Sequence, residues 1–152
     1  MGSEAGRALL GGAATLVIAL GVLTWQTVRI PGHAPNRVVA ELRLAQAAAV
    51  LLAFSAAFLA GLAASSPGPI AAFDMACAVL ACGLALMTLV RDPRAALAWL
   101  ATAFLGRSLL DVLHLPGWLP LAAPTTVLAG SALANLRAAG LCALPLARVR
   151  YR

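Results

Sequence analysis

Apolar and polar positions fall into long blocks along this chain rather than alternating residue by residue. Five apolar blocks stand out, at about 8–25, 44–63, 70–90, 95–115 and 121–147. Each of the first four is close to twenty residues long, which at about 1.5 Å per residue spans a hydrocarbon core of roughly 30 Å. The pattern predicts an all-α, polytopic transmembrane bundle of about five spanning helices, with the whole of 1–152 forming one transmembrane domain. The fifth block carries Arg137 and Pro145 and is longer than a crossing needs. It ends near Leu136 with an interfacial segment after it, or continues tilted to Ala147.

The polar breaks are of two kinds. Arg29-Ile-Pro-Gly-His-Ala-Pro-Asn-Arg-Val-Val-Ala-Glu-Leu-Arg43 is broken by Pro31, Gly32 and Pro35 and is strongly basic. Glu41 follows Arg37 by four residues, a helical spacing suited to an ion pair at headgroup level. Arg91-Asp-Pro-Arg94 is the second basic break, and Arg148, Arg150 and Arg152 form a basic tail. By contrast, Ala64-Ser-Ser-Pro-Gly-Pro69 and Pro116-Gly-Trp-Leu-Pro120 carry no charge. With five crossings, the basic breaks and the tail share one side. Positive charge marks the cytoplasmic side, so the N-terminus is placed outside and the C-terminus in the cytoplasm. Trp25, Trp99 and Trp118 each lie near a span boundary, where aromatic residues prefer to sit.

A signal peptide competes for the first block, because a short segment with Arg7 precedes it. Gln26-Thr-Val-Arg-Ile30 after it lacks a small-x-small cleavage site, so it is kept as a helix, with Gly11, Gly12 and Gly21 permitting close helix approach.

Composition agrees with the block pattern. Of 152 residues, 62% are hydrophobic and 11% charged, with mean hydropathy +0.95. A soluble domain keeps roughly a quarter of its residues charged. The net charge is +6, and all eleven basic residues are arginine, mostly dispersed between apolar blocks, so the charge reads as topology rather than nucleic-acid binding. The all-Arg, Ala- and Leu-rich usage is that of GC-rich bacterial coding, which places the chain in a bacterial inner (plasma) membrane. Cys77, Cys82 and Cys142 form no CxxC pair and are read as packing groups.

Candidate chemistry sits in the third and fourth blocks. On a helix over 93–116, Arg107, Asp111 and His114 fall within about 60° of one another. Asp74 in the third block lies at a comparable depth, beside Cys77, Ala78 and Ala81. All four fall in the outer half of the bilayer, where Arg107 pairs with Asp74, Asp111 or both, and Thr125 and Thr126 reach a similar level. Ionisable groups inside a span mark either a ligand pathway or a structural salt bridge. Asp74, Arg107, Asp111 and His114 are therefore the candidate ligand-binding set, with the structural bridge preferred and His114 simply at the interface. No catalytic set, metal site or cofactor is expected: GxSxG, P-loop and HExxH motifs do not occur, and His33 and His114 lie on opposite sides, too far apart to share a haem.

Ala40-Glu-Leu-Arg43 and Phe104-Leu-Gly-Arg107, about eight residues together, resemble pieces of the small DoxX-like bacterial membrane proteins. That resemblance implies a compact helical membrane protein, typically of four helices, some of whose relatives accompany membrane oxidoreductases; here there is one span more. The expected partners are the lipid bilayer and other membrane chains or further copies. The expected function is an integral membrane subunit or accessory protein, with a small-molecule or lipid-binding carrier as the alternative.

Overall fold

The computed structural model describes residues 3–65, 68–116, 118–119 and 124–149, with side chains from Gly11 to Ala147. Five helices make up the architecture: α1 (Ser3–Arg29), α2 (Asn36–Ala64), α3 (Pro69–Thr88), α4 (Pro93–His114) and α5 (Thr125–Val149). All five are long and apolar enough to cross a membrane, so the chain is an all-α multi-pass membrane protein.

Local chemistry sets the helix ends. Gly68 takes φ 102°, a conformation costly for any residue with a Cβ, and hands directly to Pro69 at the first position of α3. Asp92 caps α4: its Oδ2 accepts from the backbone N–H of Arg94 at 3.1 Å and of Ala95 at 3.3 Å. Pro93, with no N–H to leave unsatisfied, occupies the first turn. Pro116 follows α4, and the Pro124 carbonyl accepts from Val127 and Leu128 as α5 begins.

Two boundaries differ from the sequence reading. α2 begins at Asn36 rather than near Leu44, because Pro35 favours helix starts; Arg37, Glu41 and Arg43 are thus helical rather than part of a polar connection. α5 begins at Thr125 rather than near Leu121 and runs unbroken to Val149, so of the two alternatives for its end the span that continues to Ala147 holds and an end near Leu136 does not. Leu121–Ala123 lie outside the described residues.

Helix α2 is the centre of the bundle and touches the other four; α5 packs on α4 and α1, and α3 on α2 and α4. Its buried stripe is rich in alanine (Ala45, Ala48, Ala49 and Ala56), which lets neighbouring backbones come close. Leu44, Leu52, Leu97, Leu100 and Phe104 fill the core, joined by Leu20, Ala138 and Cys142. Lipid tails are as apolar as these side chains, so close packing and interhelical hydrogen bonds hold the helices rather than exclusion of water. Glycine contributes little here. A Cβ on Gly11 or Gly12 would meet nothing within 4 Å, and one on Gly21 would only touch Leu141 at 3.9 Å; alanine, not glycine, makes the close contacts. Outside the bundle, Ile18, Val79, Leu80, Leu86 and Val90 are exposed, as a lipid-facing surface requires.

Pro145 leaves a vacancy in the α5 hydrogen-bond ladder, because it has no N–H to give the Leu141 carbonyl. The Thr24 hydroxyl, which donates to the Leu20 carbonyl of its own helix at 2.9 Å, shares that proton with the Leu141 carbonyl at 3.3 Å, and Arg37 Nη2 donates to the Pro145 carbonyl at 3.5 Å. The proline is therefore built into the contact between α1, α2 and α5.

Candidate functional site

Two polar clusters lie at different levels of the bundle. The first is at the end that carries the α1–α2 and α3–α4 connections. Glu41 accepts from Arg37 Nε at 2.7 Å and from Arg94 Nε at 3.0 Å, one bond on each carboxylate oxygen. Arg37 also donates to the Ile30 carbonyl at 2.8 Å. The Arg37–Glu41 spacing is thus a real pair. It is buried within the bundle, and Arg94, whose side chain is 44% exposed, extends it outward.

The second cluster is built on α4. Its buried stripe runs Leu97, Leu100, Phe104, Arg107, Asp111, His114, at alternating spacings of three and four residues. The polar half simply continues the apolar seam. Arg107, Asp111 and His114 therefore point into the bundle, and Asp74 on α3 meets them there; all four are at least 95% buried.

They form two pairs. Arg107 Nη1 lies 2.6 Å from Asp111 Oδ1, an ion pair one helical turn apart. Asp111 Oδ2 accepts from Ser131 Oγ at 2.7 Å and Asn135 Nδ2 at 3.0 Å, both on α5. Asn135 Oδ1 in turn accepts from Ser55 Oγ on α2 at 3.2 Å, and Ser108 donates to the Ala132 carbonyl at 2.9 Å. A single carboxylate thus ties α4 to α5, and through Asn135 to α2.

The other pair is His114 with Asp74. His114 Nδ1 lies 2.7 Å from the Leu110 carbonyl, which only accepts, so Nδ1 carries a proton. Nε2 lies 3.1 Å from Asp74 Oδ2. One proton must sit between those atoms, on the imidazole as imidazolium or on the carboxyl group. His114 is therefore not simply at the interface; it is half of a buried, proton-holding bridge between α3 and α4. Leu59, Ala78 and Leu110 pack as a small apolar cluster around this level, with Cys77 and Leu119 against it.

Arg107 accordingly pairs with Asp111 and not with Asp74, whose partner is His114. Among the described residues nothing hydrogen-bonds Arg107 Nε or Asp74 Oδ1, and both atoms are buried. Thr125 and Thr126 are exposed and supply no hydroxyl; Ser131, Asn135 and Ser55 do so instead. Their positions on the inner edge of α2 and α5 were the available signal.

A cleft of about 490 Å³, its mouth included, opens between α1, α2 and α5. Val17, Leu51, Phe54, Phe58 and Val127 line it together with Ser55, Ser131 and Asn135. Asn135 bonds both serines, and Asn135 and Ser131 donate to Asp111. No group of three or more His, Cys, Asp or Glu residues able to hold a metal occurs among the described residues.

Comparison with known protein families, with characterised proteins and with solved structures finds no match to this chain.

Proposed function

We propose that this chain is a small integral membrane subunit that packs against partner membrane chains, in a bacterial inner membrane with the N-terminus outside. One observation carries the reading. Arg137 sits twelve residues from either end of α5, at mid-span, and is exposed on the outside of the bundle. Arginine at the centre of a spanning helix costs about 2.5–3.5 kcal/mol on insertion scales. That figure already includes the relief that snorkelling and local bilayer thinning give, so a net cost remains at the midpoint. A partner chain over this face removes the cost, whereas lipid does not.

Native mass spectrometry of the protein, extracted gently from its own membrane, tests the proposal. A stoichiometric second polypeptide is the expected result; the chain alone, with or without lipid, overturns it.

A second reading, a carrier for a small polar molecule, draws on the buried Arg107 Nε and Asp74 Oδ1, a donor and an acceptor without protein partners. Arg107→Leu separates the two readings. Loss of a co-extracted small molecule from an intact bundle favours the carrier, and loss of the bundle itself favours a structural role for Arg107.

A further inference from the structure

We infer that the partner presents a spanning helix with an Asp or Glu near its midpoint, seated on the α1–α5 face against Arg137; this rests on the subunit reading above. A shallow groove runs between the two helices there, lined by Ala13, Ala14, Ile18, Gly130, Ala134 and Arg137. Small side chains let another helix approach closely, and Arg137 supplies the charge that such a helix must answer.

This chain cannot answer it. Of its acidic residues, Glu41 is bonded to Arg37 and Arg94, Asp74 to His114, Asp111 to Arg107, Ser131 and Asn135, and Asp92 caps α4. Glu4 is the fifth, and its level excludes it. The Thr24–Leu141 hydrogen bond, with Ala13–Ile18 of α1 and Gly130–Arg137 of α5 lining one groove further along, shows that α1 and α5 run parallel. Arg137 is therefore level with Leu20, about 24 Å along the axis from Glu4, well beyond an arginine's reach. A second copy brings the same spent carboxylates and, across a two-fold axis, sets Arg137 against its own equivalent. Lipid headgroup anions lie at the surface, not at this depth. An acidic residue on another chain's helix is the group that fits.

The test places a photo-crosslinking benzoylphenylalanine in the full chain, in its native membrane, at Leu133 beside Arg137 and separately at Val79 on the lipid face of α3. These side chains are 57% and 65% exposed. From Leu133, irradiation is expected to give one discrete adduct with a different polypeptide. Its crosslinked peptide lies in an apolar span containing Asp or Glu. Arg137→Leu lowers the yield at least tenfold while the thermal midpoint of the isolated chain holds, and Arg137→Glu with the partner's acid changed to Arg restores it. An adduct of twice the chain mass, a lipid adduct, a peptide without an acid, or a yield indifferent to Arg137→Leu each overturns the inference. A partner captured from Val79 alone overturns this interface and leaves the subunit reading standing. Absence of any polypeptide at either position, and in native mass spectrometry, removes both.

Discussion

Asp111→Asn is the sharpest single perturbation of the buried network. The wild-type carboxylate faces three donors: Ser131 Oγ and Asn135 Nδ2 on one oxygen and the Arg107 guanidinium on the other. Asparagine keeps the shape but has one acceptor atom. Whichever way its amide turns, an N–H₂ group faces either the Ser131–Asn135 pair or the guanidinium. It also removes the countercharge of a buried arginine. Breaking a buried ion pair by removing one partner costs about 3–5 kcal/mol. Losing one interhelical hydrogen bond in a membrane bundle costs about 0.6 kcal/mol on average and at most about 1.7. Asp111→Asn should therefore destabilise the bundle by several times the loss in Ser131→Ala, and charge decides the difference.

The assay is reversible unfolding in mixed detergent micelles, read by circular dichroism, for the wild type, Asp111→Asn, Ser131→Ala, and Arg107→Met with Asp111→Leu. The last variant removes both charges and fills the space with apolar atoms, so it should recover most of the stability lost by the single change. An Asp111→Asn loss no larger than that of Ser131→Ala would refute the reasoning. So would a charge-free double variant worse than the single one. Either result would mean that Arg107 is neutralised by something other than Asp111.

Three further outcomes are expected. Thr24→Val should cost up to about 1.7 kcal/mol by stranding the Leu141 carbonyl; with Pro145→Ala restoring an N–H to that carbonyl, the cost should shrink, and an undiminished cost in a double-mutant unfolding cycle would show the two are not coupled. Glu41→Gln should destabilise by a few kcal/mol because it leaves the buried Arg37 unneutralised, whereas Arg94→Ala, at a half-exposed pair, should cost about 1 kcal/mol or less; equal losses on thermal unfolding would contradict this. In a chain without Cys77, Cys82 and Cys142, a membrane-impermeant maleimide should label Ser65→Cys on intact cells and His33→Cys only after permeabilisation, and the reverse pattern would invert the orientation.

The number of helices and the location of their polar seam were legible because both are local properties. A twenty-residue apolar block is its own signal, and residues three and four apart on α4 share a face whatever surrounds them. Pairing between helices is not local. Sequence offers Arg107 two acids at similar depth, and only the way α3 lies against α4 brings Asp74 to His114, leaving Asp111 for Arg107. The threonines show how a boundary error spreads. Starting the fifth span at Leu121 puts Thr125 about 6 Å into the membrane, level with the cluster. The helix starts at Thr125 itself, so the hydroxyl at that depth belongs to Ser131. Arg94 as the second partner of Glu41, and Thr24 as the partner of the Pro145 break, are 53 and 117 residues away from the groups they satisfy, and no periodicity points to either.

Arg107 and Arg137 pose the same physical problem and meet it differently. Arg107 lies on the seam of α4, where a neighbour one turn away and a helix across the interface supply charge and acceptors. Arg137 lies on α5, the helix that supplies two of the groups solvating Asp111, but on the opposite side. Asn135 and Arg137 are two residues, about 200°, apart. The inner edge of α5 is committed to the fold, and its outer edge carries a charge that the fold leaves unanswered. The two edges should therefore be separable. Asn135→Ala should lower the stability of the isolated bundle, because it removes the bonds to Asp111 and Ser55. Arg137→Leu should leave that stability unchanged or raise it, since leucine at mid-span is favourable where arginine is costly, and should be deleterious only where the chain assembles. If Arg137→Leu destabilised the isolated chain as much as Asn135→Ala, the charge would be serving the fold after all, and the outward face would need no partner.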